Sequence, residues 1–252
     1  MNTDTLPIFL RDLELLTVAR EYEDAITRAE ADNWGYRRFL HHLVESEANE
    51  RLVRRAQRLL ESSGLPKTET LARLDPAQFP EKARRLLPTL QSGEFARRGD
   101  TICAFGLPGT GKSAYVCALC YDLVQHHRMK VLFLPAFKLV NMLLLAKRNL
   151  ELPRLLAKLN RFDVVICDDI SYITQTLQEN DVLFSFFSER YEKQKCVIVT
   201  SNLVFSEWDR IFKNPMTAAA IVDRLVHRGI QFEFEGLKGE SFRAAEARKR
   251  QL

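Results

Sequence analysis

The sequence predicts an α/β protein: a parallel sheet of about five strands flanked by helices, preceded by a small all-helical domain. Three observations predict it. Over the first 63 residues apolar side chains recur at three- and four-residue spacing, the period of a helix face. From Asp100 onward short apolar runs alternate with longer helical stretches, the pattern of a sheet covered on both faces. Between these regions lies a segment punctuated by Pro66, Pro76, Pro80, Pro88 and Gly93.

The helical region carries apolar positions at Phe9, Leu13 and Leu16, then Tyr22, Ile26 and Ala29. A second series follows Asp32-Asn33 and runs Tyr36, Leu40, Leu43, Ala48, Leu52, Ala56, Leu59. Ser62-Ser63-Gly64-Leu65-Pro66 ends it with glycine and proline in the usual stop order. The expected organisation is a helical domain over 1–63, a connection with short helical pieces over 64–98 and the α/β domain over 99–252. In the last, strands are expected at 101–105, 130–134, 164–167, 196–200 and near 230–234. Helices are expected at about 112–127, 136–159, 179–194, 206–213 and 216–227.

The 252 residues suffice for one substantial domain and a small one. A net charge of +4 is only mildly basic, which permits nucleic-acid binding without demanding it. Residues 1–75 hold 11 Lys and Arg against 14 Asp and Glu, so the positive excess lies further on. Of the five cysteines, Cys103, Cys167 and Cys196 fall in apolar strand candidates and read as small core hydrophobes. Cys117 and Cys120 spell C-x-x-C but sit in a helical stretch, without a second pair or a histidine at zinc spacing. Packing is expected of them rather than metal or redox chemistry. The first residues are acidic where a secretory signal would be basic, and the longest apolar run, residues 140–146, is too short to span a bilayer. The sequence therefore predicts a cytoplasmic protein with no membrane segment.

Chemistry concentrates after the first strand candidate. Gly106-Leu107-Pro108-Gly109-Thr110-Gly111-Lys112-Ser113 matches G-x-x-x-x-G-K-[ST]. Glycines let backbone N–H groups converge on phosphates, the lysine brings a mobile cation to the β- and γ-phosphates, and the serine hydroxyl can ligate Mg²⁺. The following helix turns its positive end toward the anion. An apolar strand candidate precedes the motif and a helix candidate opens with it, which is the context a phosphate loop requires. ATP is thus expected on Gly106, Pro108, Gly109, Thr110, Gly111, Lys112, Ser113 and Ala114.

About 55 residues downstream, Val164-Val165-Ile166-Cys167 runs into Asp168-Asp169. A buried strand would deliver both acids at its carboxyl end, near the phosphate loop. Asp168 is expected to hold Mg²⁺ through water, with Ser113 as the other metal-side residue, and Asp169 to orient or deprotonate the attacking water. A fourth strand candidate ends at Thr200-Ser201-Asn202, where the Asn202 amide can sense the γ-phosphate; alternatively these residues cap the helix starting near Ser206.

With those residues placed, the chain resembles an AAA+ ATPase of the initiator and helicase-loader group, and within it the IstB-like transposition helpers. The resemblance spans nearly the whole chain. Beyond the motifs above, it is carried by Phe95-Ala96-Arg97-Arg98-Gly99-Asp100, Arg161-Phe162-Asp163 and Arg190-Tyr191-Glu192. Its most specific stretch is Thr200-Ser201-Asn202-Leu203-Val204-Phe205-Ser206-Glu207-Trp208, followed by Asp223-Arg224-Leu225 and Gly239-Glu240-Ser241-Phe242-Arg243. It implies an ATPase that forms homo-oligomers on duplex DNA and helps a partner transposase use its target. It further implies Arg224 as an arginine offered in trans to a neighbour's ATP, where the bland alternative is a surface arginine paired with Asp223. Arg243 is implied as a second nucleotide sensor. The family usually carries Asp-Glu where this chain has Asp168-Asp169, and the shorter Asp169 leads to an expectation of slow hydrolysis.

DNA contacts are expected on residues 137–161, longer than a minimal connection and bearing Lys138, Lys147, Arg148, Arg154, Lys158 and Arg161. Arg51, Arg54, Arg55 and Arg58 form a second basic stripe that can grip DNA, dock an acidic partner or simply face solvent. Two alternatives to the transposition helper stay open on sequence alone: a replicative helicase loader with the same engine, and a nucleotide-gated DNA clamp with negligible turnover.

Overall fold

The computed structural model describes residues 5–172, 176–212 and 214–234. The chain divides into two compact units, Met1–Arg58 and Leu59–Leu252.

The first unit contains α1 (Leu6–Asp12), α2 (Leu16–Ala31) and most of α3 (Tyr36–Ser63). Its buried core is small, with Val18, Ala25 and Leu43 at the centre and Leu10, Leu15, Tyr22 and Phe39 against them. Much of the apolar periodicity stays at the surface: Phe9, Leu13, Leu16, Leu40 and Val44 are all exposed. Some of these residues border an apolar groove of about 450 Å³ floored by Leu10, Leu15, Val18 and Phe39. A buried carboxylate organises the unit. Glu47 accepts the N–H groups of Thr17 and Val18, at 2.7 and 3.2 Å, which are orphan donors at the start of α2.

The second unit begins within the last turns of α3, which stops at Ser63 before Gly64 in a left-handed conformation (φ 72°). Residues 64–98, expected as a connection, form α4 (Glu81–Gln91) and α5 (Glu94–Arg98) and put Leu65, Phe79, Ala83, Leu90 and Phe95 into the core. Then follow β1 (Thr101–Gly106), α6 (Lys112–His127), β2 (Val131–Pro135), α7 (Ala136–Arg148), α8 (Leu152–Leu159), β3 (Val164–Asp168), α9 (Leu177–Glu192), β4 (Cys196–Ser201), α10 (Pro215–His227) and β5 (Gly229–Phe234).

The five strands are all parallel, in the order β2-β3-β4-β1-β5. Side chains alternate across the sheet: Ile102 and Ala104 of β1 enter the core shared with α6, while Cys103 and Phe105 enter the one shared with α7, α9 and α10. Each expected strand is present within one residue at either end. Two helix expectations differ. The stretch 136–159 is not one helix, because Leu150 adopts φ 59° between α7 and α8. The stretch from 206 is a 3₁₀ helix, Phe205–Arg210, whose Trp208 is fully buried and donates to the Leu203 carbonyl at 3.2 Å. All five cysteines are buried free thiols, and burial raises each of them. Among the described residues no cluster could hold a metal through His, Cys, Asp and Glu, and no helix is long and apolar enough to cross a membrane.

Candidate functional site

Because the strands are parallel, all five carboxyl ends share one edge of the sheet, and the strand order sets those of β3, β4 and β1 side by side. Gly106 ends β1 beside Phe234 of β5, and Phe105 pairs with Ser201 of β4. A Cβ at Gly106 would lie 2.2 Å from the Phe234 carbonyl oxygen, so only glycine lets the chain leave β1 here. The loop then turns through Gly109 (φ 80°) and Gly111 (φ 91°), and Gly111 is the residue from which α6 departs. Thr110 Oγ1 donates to the Leu107 carbonyl at 2.9 Å, closing the loop on itself. Lys112 and Ser113 follow in the first turn of α6, with Ala114 buried behind them.

Lys112 is 6% exposed, and its ammonium group donates to the carbonyls of Gly106 (2.6 Å) and Leu107 (2.8 Å) and to Asn202 Oδ1 (2.9 Å). Ser113 Oγ donates to Asp168 Oδ1 at 2.7 Å. The strand carrying the acids is not the immediate neighbour of β1, since β4 lies between them. Residues at the end of β4 bridge that gap. Thr200 Oγ1 donates to Asp168 Oδ1 at 2.7 Å and accepts the Asp169 N–H at 2.8 Å. Asn202 Nδ2 donates to Asp169 Oδ1 at 3.1 Å, so one amide joins the lysine of the loop to the second acid. Asp169 itself has φ 63°, a left-handed conformation that aspartate tolerates better than most residues.

Lys112, Ser113, Asp168, Asp169 and Asn202 therefore form one hydrogen-bonded constellation. Pattern reading missed two of its members. Thr200 was visible as the last residue of a strand candidate and in the stretch that carries the resemblance, with no role in the site assigned to it. Ser171, in the 3₁₀ turn Ile170–Tyr172, donates to Asp169 Oδ1 at 3.0 Å and accepts the Asn202 N–H at 3.1 Å. Neither has a motif signal, because serine and threonine are common wherever a strand ends.

Other sequence candidates lie apart from this network. Arg224 in α10 donates to the Ala220 carbonyl at 2.7 Å and stacks 5.0 Å over the Phe184 ring of α9, with no ion pair to Asp223 among the described residues. Arg243 lies outside the described residues. On α7 and α8 and in the turn that follows, Lys138, Arg148, Lys158 and Arg161 are exposed; Lys147 pairs with Asp181 at 3.3 Å and Arg154 with Glu151 at 3.7 Å. The basic stripe of α3 is not uniform. Arg51 and Arg54 serve the fold, reaching Glu47 Oε1 at 2.8 and 3.2 Å, while Arg55 and Arg58 are exposed.

Hard oxygen donors suit Mg²⁺, and the site offers the Ser113 hydroxyl and the Asp168 carboxylate within 2.7 Å of each other. That donor set fits the ion that accompanies a triphosphate.

A relative from Sinorhizobium fredii, named as an insertion sequence ATP-binding protein, is 35% identical over 243 residues, covering 96% of this chain and 80% of the relative. The protein named as the ATP-binding protein of insertion sequence IS21 in Pseudomonas aeruginosa is 32% identical, covering 97% and 90%. Among solved structures, the DnaC helicase loader aligns with a TM-score of 0.54 at 12% identity over 70% of this chain and 98% of its own. The replication initiator DnaA, bound to AMPPCP and single-stranded DNA, aligns with a TM-score of 0.60 at 15% identity, covering 75% and 56%. At such identities the likeness shows the fold alone, the AAA+ P-loop fold. The match that decides the family covers residues 9–250, and by it the chain belongs to the IstB-like ATP binding proteins.

Proposed function

We propose that this chain is a Mg²⁺-dependent ATPase that assembles on duplex DNA and regulates the transposase of its insertion sequence, with ATP held between subunits. The observation that carries this reading is the single network joining Lys112, Asn202 and Asp169 on one side to Ser113, Thr200 and Asp168 on the other. A phosphate loop used only for binding has no need of an acid tied to the loop's lysine through an amide.

Lys112 exchanges its carbonyl partners for the β- and γ-phosphates, while backbone N–H groups of residues 108–113 and the start of α6 face the anion. Ser113 and Asp168 would hold Mg²⁺, which would supply charge neutralisation at the phosphates. Asp169 orients the attacking water and accepts its proton, and Asn202 fixes the γ-phosphate end relative to that carboxylate. Arg224 acts on the ATP of a neighbouring subunit after leaving its contacts with Ala220 and Phe184. Because Asp169 is one methylene shorter than glutamate, turnover is slow.

Duplex DNA is bound through the phosphate backbone by Lys138, Arg148, Lys158 and Arg161, with Lys147 and Arg154 exchanging Asp181 and Glu151 for phosphate. Arg55 and Arg58 of the first unit supply a second contact. The exposed apolar face of that unit supports self-association, since a surface of this kind rarely stays bare.

The test is Lys112→Ala, read by nucleotide affinity and by electron microscopy with duplex DNA under ATP, ADP and no nucleotide. The variant should lose ATP affinity by 10²-fold or more, on the order expected for a phosphate-binding lysine, and with it the ATP-dependent assembly. Unchanged affinity and assembly would refute the reading. ATP-dependent assembly without measurable turnover would leave a nucleotide-gated clamp in its place.

A further inference from the structure

Ser171 uses its hydroxyl in both directions. As donor it binds Asp169 Oδ1 at 3.0 Å, and as acceptor it takes the Asn202 N–H at 3.1 Å. The carboxylate oxygen it holds is the one that receives the Asn202 amide at 3.1 Å. The backbone of Asp169 is fixed as well, its N–H on Thr200 Oγ1 at 2.8 Å and its φ in the left-handed region. Both the main chain and the carboxylate of Asp169 are thus referenced to the end of β4, and Ser171 adds a second link, from the Asn202 main chain to the carboxylate oxygen that the Asn202 amide also holds.

Such a link matters more for aspartate than for glutamate. A short side chain cannot search for the water; its direction is set by the backbone and by what grips the carboxylate. We infer that Ser171 is a positioning residue for hydrolysis, holding the Asp169 carboxylate in register with Asn202 so that the shorter acid can address the attacking water. The inference rests on the proposed role of Asp169.

The experiment compares Ser171→Ala and Ser171→Thr in the full-length chain, measuring single-turnover hydrolysis, binding of a non-hydrolysable ATP analogue and thermal melting. Loss of one hydrogen bond to a charged group predicts that Ser171→Ala lowers the hydrolysis rate about 10-fold with analogue affinity unchanged. Ser171→Thr keeps the hydroxyl and should recover most of the rate. In an Asp169→Asn background the alanine change should cost almost nothing further, because its effect runs through that carboxylate. An alanine variant with the parent rate, a threonine variant no better than alanine, or additive losses in the double variant would each overturn the inference while leaving the ATPase reading intact. No hydrolysis by the parent chain would overturn both, and the assay of the unmutated protein reveals that case first.

Discussion

Asp169 sits between two demands. Its left-handed backbone suits aspartate, whose short polar side chain bonds locally, here to Ser171 and Asn202. Catalysis favours a longer acid that reaches the water. Asp169→Glu should therefore raise ATP turnover several-fold while lowering stability by about 1 kcal/mol, since glutamate gives up the local bonds that ease a positive φ. Turnover and denaturant midpoints on one preparation check both halves, and an equal or lower rate would refute the account of slow hydrolysis. At this scale the site was largely readable before any coordinates. Lys112, Ser113, Asp168 and Asp169 announce themselves because their chemistry fixes spacing along the chain: a loop of eight residues, an acid at a strand's end. Thr200 and Ser171 do not, because their roles depend on β4 lying between β1 and β3. That order is a fact of three dimensions, and no spacing encodes it.

Elements are held by buried charges whose partners are far off in sequence. Arg190 of α9 is almost fully buried and donates to the carbonyls of Leu159 (3.1 Å), Phe162 (2.9 Å), Asp163 and Cys196. It thereby satisfies the buried carbonyl end of α8 and ties it to the start of β4. Burial pulls its guanidinium down to about 10, so it stays charged at neutral pH. The run Arg190-Tyr191-Glu192 was legible as a family feature, but this role was not, since four backbone carbonyls leave no trace in a pattern. Glu47 does the same for the first unit. Burial pushes its carboxyl up, but the Arg51 hydrogen bond and the N–H groups of Val18 and Thr17 outweigh it, leaving the group below its ordinary 4.5. A depressed native value means that the stabilisation is complete above the ordinary value and lost as pH falls through the native one. Amide protection at Thr17 and Val18 should hold at neutral pH and be lost only in acid, as pH falls below the ordinary carboxylate range. Glu47→Gln should cost the unit about 2 kcal/mol at pH 7 and remove most of that acid dependence. Protection that is equal in both proteins at pH 7 would show that Glu47 is not the brace the hydrogen bonds describe.

For the whole molecule, the parallel sheet was the most legible feature. Buried strands are short and apolar, and a phosphate loop anchors the register of everything after it. Residues 64–98 were less so, because prolines mark turns equally well in a linker and in a packed segment; burial of Phe79, Ala83 and Phe95 settles which it is. The proposed assembly makes a demand that one subunit cannot meet. Among the described residues Arg224 is held by Ala220 and Phe184, and not by Lys112 or the acids. If it completes a neighbour's site, an Asp169→Asn subunit, which keeps its phosphate loop and so still binds ATP and assembles, can still lend its arginine, and an Arg224→Ala subunit can still hold ATP. Each variant alone should fall about 10³-fold in turnover. Mixed in equal amounts on DNA, random assembly puts an intact Asp169 next to an intact arginine at roughly a quarter of the interfaces, so turnover should return to about that fraction of the parent's. Recovery requires that the two groups belong to different chains. An arginine acting within its own subunit would leave the mixture as inactive as its components, because no subunit in it carries both.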